Sequence, residues 1–349
     1  MTMLAPMPSG TPKRIVYAGT PEIAVGPLRA LHEAGFEISC VLTGVDKRRG
    51  RGGETTPSPV KIVARELGIP VVHQVGDLIA HAGPDTLGVV VAYGALIPHE
   101  VLSVIPMVNA HYSLLPRWRG AAPVERAILA GDDSTGVCIM RVVDELDAGE
   151  VFARQEVSIN DGETADELRV RLDAVARTLL VDTLRRGEWS GVPQAGEVVY
   201  ARKITSVDRR MTCEDAALET RRIRIGGAFL SVAGQRLRVL EGIATDTALP
   251  ARTITLHDER VMLGCVTGSV VCEKVQPEGR SAMEAVAWWR GHRGPDTLVV
   301  DDDRRSTTDR DRGRVQRPCR IGSDREQRRA VLVPLRGDRR WNADDFGER

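Results

Sequence analysis

Asn109 and His111 stand two residues apart in V-N-A-H-Y-S-L-L-P-R-W-R-G-A-A-P, the stretch from Val108 to Pro123. On an extended strand, residues i and i+2 share a face. The carboxamide and the imidazole therefore converge just before the chain breaks at Ser113 and Pro116. A carboxamide donates hydrogen bonds, and an imidazole exchanges protons near neutral pH. Such a pair suits a reaction at a carbonyl, with the amide holding a developing oxyanion and the imidazole managing charge or proton. An Asn and a His that only cap a loop have the same spacing. A carboxylate able to orient His111 lies downstream in V-V-D-E-L-D-A-G-E, where Asp147 precedes a turn at Ala148-Gly149. Asp144 competes for that role, and periodicity does not choose between them.

These residues need a frame, and the sequence writes one. Arg14–Ala18, Phe36–Thr43, Pro70–Val72 and Leu87–Ala92 are β-prone runs, the last of them continuously apolar. Helical spacing through Ala24, Leu28 and Leu31, and Ser58-Pro59 as N-cap and first helical residue, places helices between them. Strands alternating with helices, some apolar on both faces, predict a parallel sheet covered on both sides. The usual occupant of such a sheet is a dinucleotide, and the residues argue against one. The first turn, A-G-T-P-E-I-A, has one glycine where G-x-G-x-x-G needs three, and there is no G-x-x-x-x-G-K-[ST]. Further on, Ala121–Ala130 reads as a helix, Val137–Val143 and Val151–Ile159 as strands, and Thr164 to Glu167 as a capping box opening a long amphipathic helix.

A long basic, glycine-rich loop interrupts the first unit between Thr43 and Lys61. Its Lys47, Arg48, Arg49 and Arg51 could grip phosphates, or could simply form a solvated charged loop. After about residue 205 the pattern changes to short strands at 227–232, 236–240, 253–256, 261–265 and 269–275, which predicts a small barrel.

The motifs N-x-H, S-L-L-P-x-W-R-G-A-A-P and L-D-A-G-E resemble those of the 10-formyltetrahydrofolate-dependent formyltransferases, and W-R-G-A-A-P is most similar to the branch acting on methionyl-tRNA. The resemblance runs from about Arg14 to Gly291 and includes A-G-T-P near Gly19 and Y-A-R-K-I at Tyr200–Ile204. It implies an α/β, Rossmann-like formyltransferase domain at 14–205, followed by an OB-like barrel at 206–291. It also implies formyl transfer from 10-formyltetrahydrofolate to the amine of initiator methionyl-tRNA, without a metal. Asn109 and a protonated His111 would hold the oxyanion, and Asp147 would support His111. The folate pocket would be formed by Val91, Ala92, Tyr93 and Gly94 with Ser113, Leu114, Leu115 and Pro116. The loop carrying Lys47, Arg48, Arg49 and Arg51 would hold the tRNA acceptor arm.

Two residues beside the site depart from the family pattern and are expected to affect turnover: Tyr112, where a small residue is common, and Glu145, where glycine is common. The barrel also lacks the N-P-W-P-type segment near Arg221–Ala228, so a loop or strand is expected to be missing there. Rival readings are a formyltransferase acting on an amino sugar or purine-pathway amine, and a non-catalytic RNA-binding relative.

Composition bounds the rest. The chain has 349 residues, 42% of them hydrophobic, and a formal net charge of +0, so the chain is long enough for two domains and nucleic acid must be met by local patches. No DNA partner is implied. Cys40, Cys138, Cys213, Cys265, Cys272 and Cys319 form no C-x-x-C pair, which points to buried thiols in a reducing compartment. No signal-peptide pattern or membrane-length apolar run is present, so a cytoplasmic, soluble protein is expected. Residues 1–13 are expected to be a disordered lead-in, and 292–349 a charged, disordered tail.

Overall fold

The computed structural model describes residues 3–48, 55–292 and 294–301. The first domain runs β1 (Arg14–Gly19), α1 (Val25–Glu33), β2 (Glu37–Leu42), the short pair β3 (Lys47–Arg48) and β4 (Thr55–Thr56), α2 (Pro59–Glu66) and β5 (Val71–Val72). It continues with β6 (Thr86–Val91), α3 (His99–Leu102), β7 (Met107–His111), β8 (Arg117–Gly120), α4 (Pro123–Ala130), β9 (Ser134–Arg141), β10 (Val151–Ser158), α5 (Ala165–Arg186) and β11 (Val199–Ala201).

Local chemistry sets several of these boundaries. Ser58 accepts from the Lys61 backbone N–H at 3.1 Å, with Pro59 opening α2. Thr164 and Glu167 complete the capping box of α5, which ends on Gly187 in the left-handed region. Strand β6 is buried at every position, as its apolar run requires between two helical layers. One layer packs α1 and α5 through Leu28, Leu31, Leu168, Leu172 and Leu180. The other side is filled by Leu78, Val101, Leu102 and Ile105.

The sheet order is β10-β9-β7-β6-β1-β2-β5. It is parallel from β5 to β7, as the alternation of strands and helices predicts, and β9 and β10 extend it antiparallel. An antiparallel return needs no covering crossover helix, and the mostly exposed pattern of β10 suits an edge with one open face.

Residues 3–13 correct the expectation of a disordered lead-in. Ala5 is buried and donates to the Leu102 carbonyl at 2.9 Å, while Arg141 donates to the Ala5 carbonyl at 2.8 Å. Trp189 Nε1 donates to the Gly10 carbonyl, and Thr11 Oγ1 to the Arg185 carbonyl. The prolines of this segment restrict its backbone in advance, so laying it along the domain costs less entropy than its small apolar content suggests.

The second domain contains α6 (Ser206–Arg209), α7 (Ala216–Arg224), β12 (Phe229–Val232), β13 (Gln235–Thr245), β14 (Thr253–His257), β15 (Arg260–Gly264), β16 (Ser269–Pro277), β17 (Met283–Glu284), α8 (Ala285–Gly291) and β18 (Thr297–Val299). Its antiparallel sheet, ordered β12-β13-β16-β15-β14-β18, curls in an OB-like manner around Leu237, Val239, Ile254, Leu263, Val275 and Trp289. Near Arg221–Ala228, Ile223 and Ala228 are buried in this core. Gly226 and Gly227 both take positive φ (+79° and +73°), so α7 turns straight into β12 without a longer loop.

Strand β18 corrects the boundary at Gly291. It pairs with β14, Val300 is buried, and Asp301 Oδ2 accepts from the Gly234 N–H at 2.7 Å. T-L-V-V is a short β-prone run hidden by the charged residues that follow it. The remainder of the expected tail, 302–349, lies outside the described residues. Among the described residues no helix is long and apolar enough to cross a membrane. Cys40, Cys138, Cys213, Cys265 and Cys272 are free and buried, while Cys319 lies outside the described residues.

Candidate active site

Strand β7 places Asn109 and His111 on one face, as the two-residue period requires, and pairs them against Met140 and Cys138 of β9. The imidazole is buried. Its Nε2 lies 2.8 Å from the Trp118 carbonyl, and its Nδ1 lies 3.6 Å from Asp147 Oδ2. Asn109 Nδ2 lies 3.5 Å from Asp147 Oδ1. Both contacts to Asp147 are at or beyond the outer edge of hydrogen bonding. Separations of that kind commonly shorten when a reactant fills the site.

The carboxylate itself is firmly held. The backbone N–H of Gly120 donates to Asp147 Oδ2 at 2.8 Å. Gly120 has φ of +117°, and a Cβ there would meet the Ala201 carbonyl oxygen at 3.0 Å, so β8 can lie against β11 at this point only with glycine. Asp144 points elsewhere. It is hydrogen-bonded to His99 Nδ1 at 3.0 Å and is largely exposed. Of the two carboxylates left open by the sequence, Asp147 is the one beside Asn109 and His111.

The turn after His111 is closed by Ser113, whose hydroxyl donates to the Arg117 carbonyl at 2.6 Å. Ser113 and Leu115 are buried, and Leu115 packs with Cys138 and Met140. Val91 is fully buried in the core, whereas Ala92, Tyr93 and Gly94 emerge at the end of β6, beside the end of β7. Burial raises the Tyr93 hydroxyl above its ordinary pKa. Of the eight expected pocket residues, five (Ala92, Tyr93, Gly94, Leu114 and Pro116) are thus at least partly open, while Val91, Ser113 and Leu115 have buried side chains.

The two departures from the motif pattern meet different surroundings, and the Tyr112 hydroxyl is buried without a hydrogen-bond partner among the described residues. Tyr112 faces the hydrophobic core with its ring 6% exposed, and burial pushes its hydroxyl well above the usual range. Glu145 accepts from Arg119 Nη1 at 2.9 Å. Lys47 and Arg48 form β3, paired with Thr55–Thr56, and Arg49 and Arg51 lie outside the described residues.

The residue motifs alone did not reveal Trp118, Gly120 or Gln194 as neighbours of the site. Trp118 is held with φ of +66° while its Nε1 donates to Asp132 at 2.7 Å, which fixes the carbonyl facing His111. W-R-G carried a signal for the first two. Gln194 sits in an irregular stretch with no periodicity to mark it.

The formyl transferase family pattern matches residues 13–184, and the pattern of the formyl transferase C-terminal domain matches residues 220–293. The methionyl-tRNA formyltransferase of Arthrobacter sp. (strain FB24) is 40% identical over 307 residues, covering 82% of this chain and 100% of that protein. The methionyl-tRNA formyltransferase of Roseobacter denitrificans (strain ATCC 33942 / OCh 114) is 40% identical over 294 residues, covering 80% of this chain and 95% of that one. Among solved structures, the N-formyltransferase from Helicobacter canadensis, in complex with folinic acid and dTDP-3-aminofucose, shares the fold with a TM-score of 0.57 and 16% identity. That match covers 76% of this chain and 99% of the other.

Proposed function

The chain belongs to the formyl transferase family, and from that premise we propose that it transfers the formyl group of 10-formyltetrahydrofolate to the free amine of methionine on initiator tRNA. The observation that carries the reading is the likeness, at 40% identity, to the whole length of a relative named for that acceptor, across both domains. On this reading the protein works in the cytoplasm.

The amine attacks the formyl carbon as the neutral base, so its ammonium form must first lose a proton. We assign that proton to Asp147, reached through water. As the new C–N bond forms, negative charge develops on the formyl oxygen. Asn109 Nδ2 and the His111 ring are the donors positioned to hold it. The bond to folate N10 then breaks, N10 takes up a proton, and the new amide nitrogen gives one up. The Trp118 carbonyl engages Nε2 at 2.8 Å, which leaves Nδ1, at 3.6 Å from Asp147 and beyond hydrogen-bond distance, as the ring nitrogen that can turn to the formyl oxygen. The fixed carboxylate keeps that ring in place while charge moves.

Ala92–Gly94 and Leu114–Pro116, together with their buried neighbours Val91 and Ser113, are assigned to the folate pocket. Lys47, Arg48, Arg49 and Arg51 are assigned to the phosphates of the acceptor arm. Assays with charged initiator tRNA alongside an amino sugar and a purine-pathway amine test the acceptor. Transfer to tRNA alone is expected, and transfer to a small amine with tRNA untouched overturns the reading. Replacing Arg48, Arg49 and Arg51 by alanine is expected to raise KM for tRNA and leave the folate KM unchanged. The salt dependence of tRNA binding is expected to flatten by roughly 0.7 to 0.9 in log–log slope for each phosphate the loop no longer neutralises.

A further inference from the structure

One polar network outside the three candidate catalytic groups is built around the loop that carries Asp147. The Gln194 carboxamide donates from Nε2 to the Asp147 and Gly149 carbonyls, each at 2.8 Å. Its Oε1 accepts from Arg119 Nε at 3.0 Å and Nη2 at 2.8 Å. These partners fix which way the amide points, because the guanidinium needs an oxygen and the carbonyls need N–H groups. Arg119 is buried, and its Nη1 donates to Glu145. Three residues of one loop are therefore tied to a single guanidinium–amide pair. The residue after Arg119 supplies the N–H that holds the Asp147 carboxylate.

The loop has little else to hold its shape. Asp147 has φ of +49°, a left-handed conformation that L-residues other than glycine adopt at a cost. Between Val142 and Glu150 the described backbone closes one hydrogen bond on itself, from Ala148 N–H to the Glu145 carbonyl at 3.3 Å. Once the Asp147 and Gly149 carbonyls are released, the loop backbone loses its two ties to Gln194, and the Gly120 N–H that remains on the carboxylate at 2.8 Å anchors one oxygen without fixing the angle it presents to Asn109 and His111.

We propose that Gln194, held by Arg119, is a positioning residue for formyl transfer, setting the Asp147 carboxylate against Asn109 and His111. The inference rests on the assignment of Asp147 above. Gln194→Glu tests it, because the side chain keeps its length and its Arg119 partner but presents acceptors to two carbonyls. The expected result is a kcat lowered about 10- to 100-fold with KM for tRNA and folate donor within about twofold, as displacement of a reacting group by about an ångström produces. On an Asp147→Asn background the same substitution is expected to add no further loss, since it acts through that carboxylate. Hydrogen exchange of the 142–150 peptide, measured with neither substrate present, is expected to quicken while α5 is unchanged. An unchanged kcat, a full additional loss on the Asp147→Asn background, or unchanged exchange in that peptide overturns the proposal. A wild-type protein that formylates no methionyl-tRNA overturns the proposed acceptor instead, and the exchange comparison still judges the Gln194 clamp.

Discussion

Asp147→Asn, set beside Asp144→Asn, tests the carboxylate that the sequence left undecided. The imidazole of His111 and the carboxylate of Asp147 are 3.6 Å apart, with side chains 6% and 11% exposed. At that separation, with an effective dielectric constant of about 20, a positively charged ring holding the oxyanion is stabilised by about 4–5 kcal/mol of direct Coulomb energy. Part of this is offset by desolvation. Measured losses of one such interaction centre on about 3 kcal/mol, or roughly a hundredfold in kcat. Asparagine tolerates the left-handed backbone at 147, and its amide oxygen can still accept from Gly120. Asp147→Asn therefore removes charge with little strain, and the melting temperature is expected to stay within about 3 °C. Asp144 is 60% exposed against His99, a pair worth about 0–1 kcal/mol, so Asp144→Asn is expected to leave the rate unchanged. Initial rates and single-turnover formyl transfer read both variants. If Asp144→Asn loses activity while Asp147→Asn keeps it, the geometric argument is refuted.

Truncation after Gly291 is expected to destabilise the second domain by about 3 kcal/mol more than truncation after Asp301, because only the longer chain retains the β18 pairing and the buried Val300; equal melting temperatures for the two would count against that pairing. Thr164→Ala removes the N-cap of α5 and should cost about 1 kcal/mol in chemical denaturation. The backbone N–H and hydroxyl of Thr164 hold the Glu167 carboxyl below its ordinary 4.5. The stability this adds is present above pH 4.5 and is lost as the pH falls through the depressed folded value. Glu167→Gln should therefore show a shallower acid-side loss of stability than the wild type, and an identical profile would remove Glu167 from the account. Burial pushes Cys40 up to about 11, and Cys213, Cys265 and Cys272 up to about 12. A Cys319→Ser protein should thus show no fast-reacting thiol at about pH 8 until denaturant is added, and rapid labelling of the native protein would contradict the packed cores.

What the sequence determined by itself was whatever depends on near neighbours along the chain. A two-residue period put Asn109 and His111 on one face of β7. Ser58-Pro59 and Thr164 with Glu167 wrote the starts of α2 and α5, because a cap and its partner lie within one helical turn. Short β-prone runs announced the barrel strands, although β13 extends to Thr245, well past the end its pattern suggested. The tertiary structure decided which carboxylate meets His111, since Asp144 and Asp147 sit in one irregular loop and differ only in where folding sends them. It also decided that Gly120 and Gln194 converge on Asp147 from positions 27 and 47 residues away. The packing of residues 3–13 and of β18 belongs with these. In each, a modest local preference is completed by hydrogen-bond partners far along the chain, and no local pattern of side chains records where those partners will be.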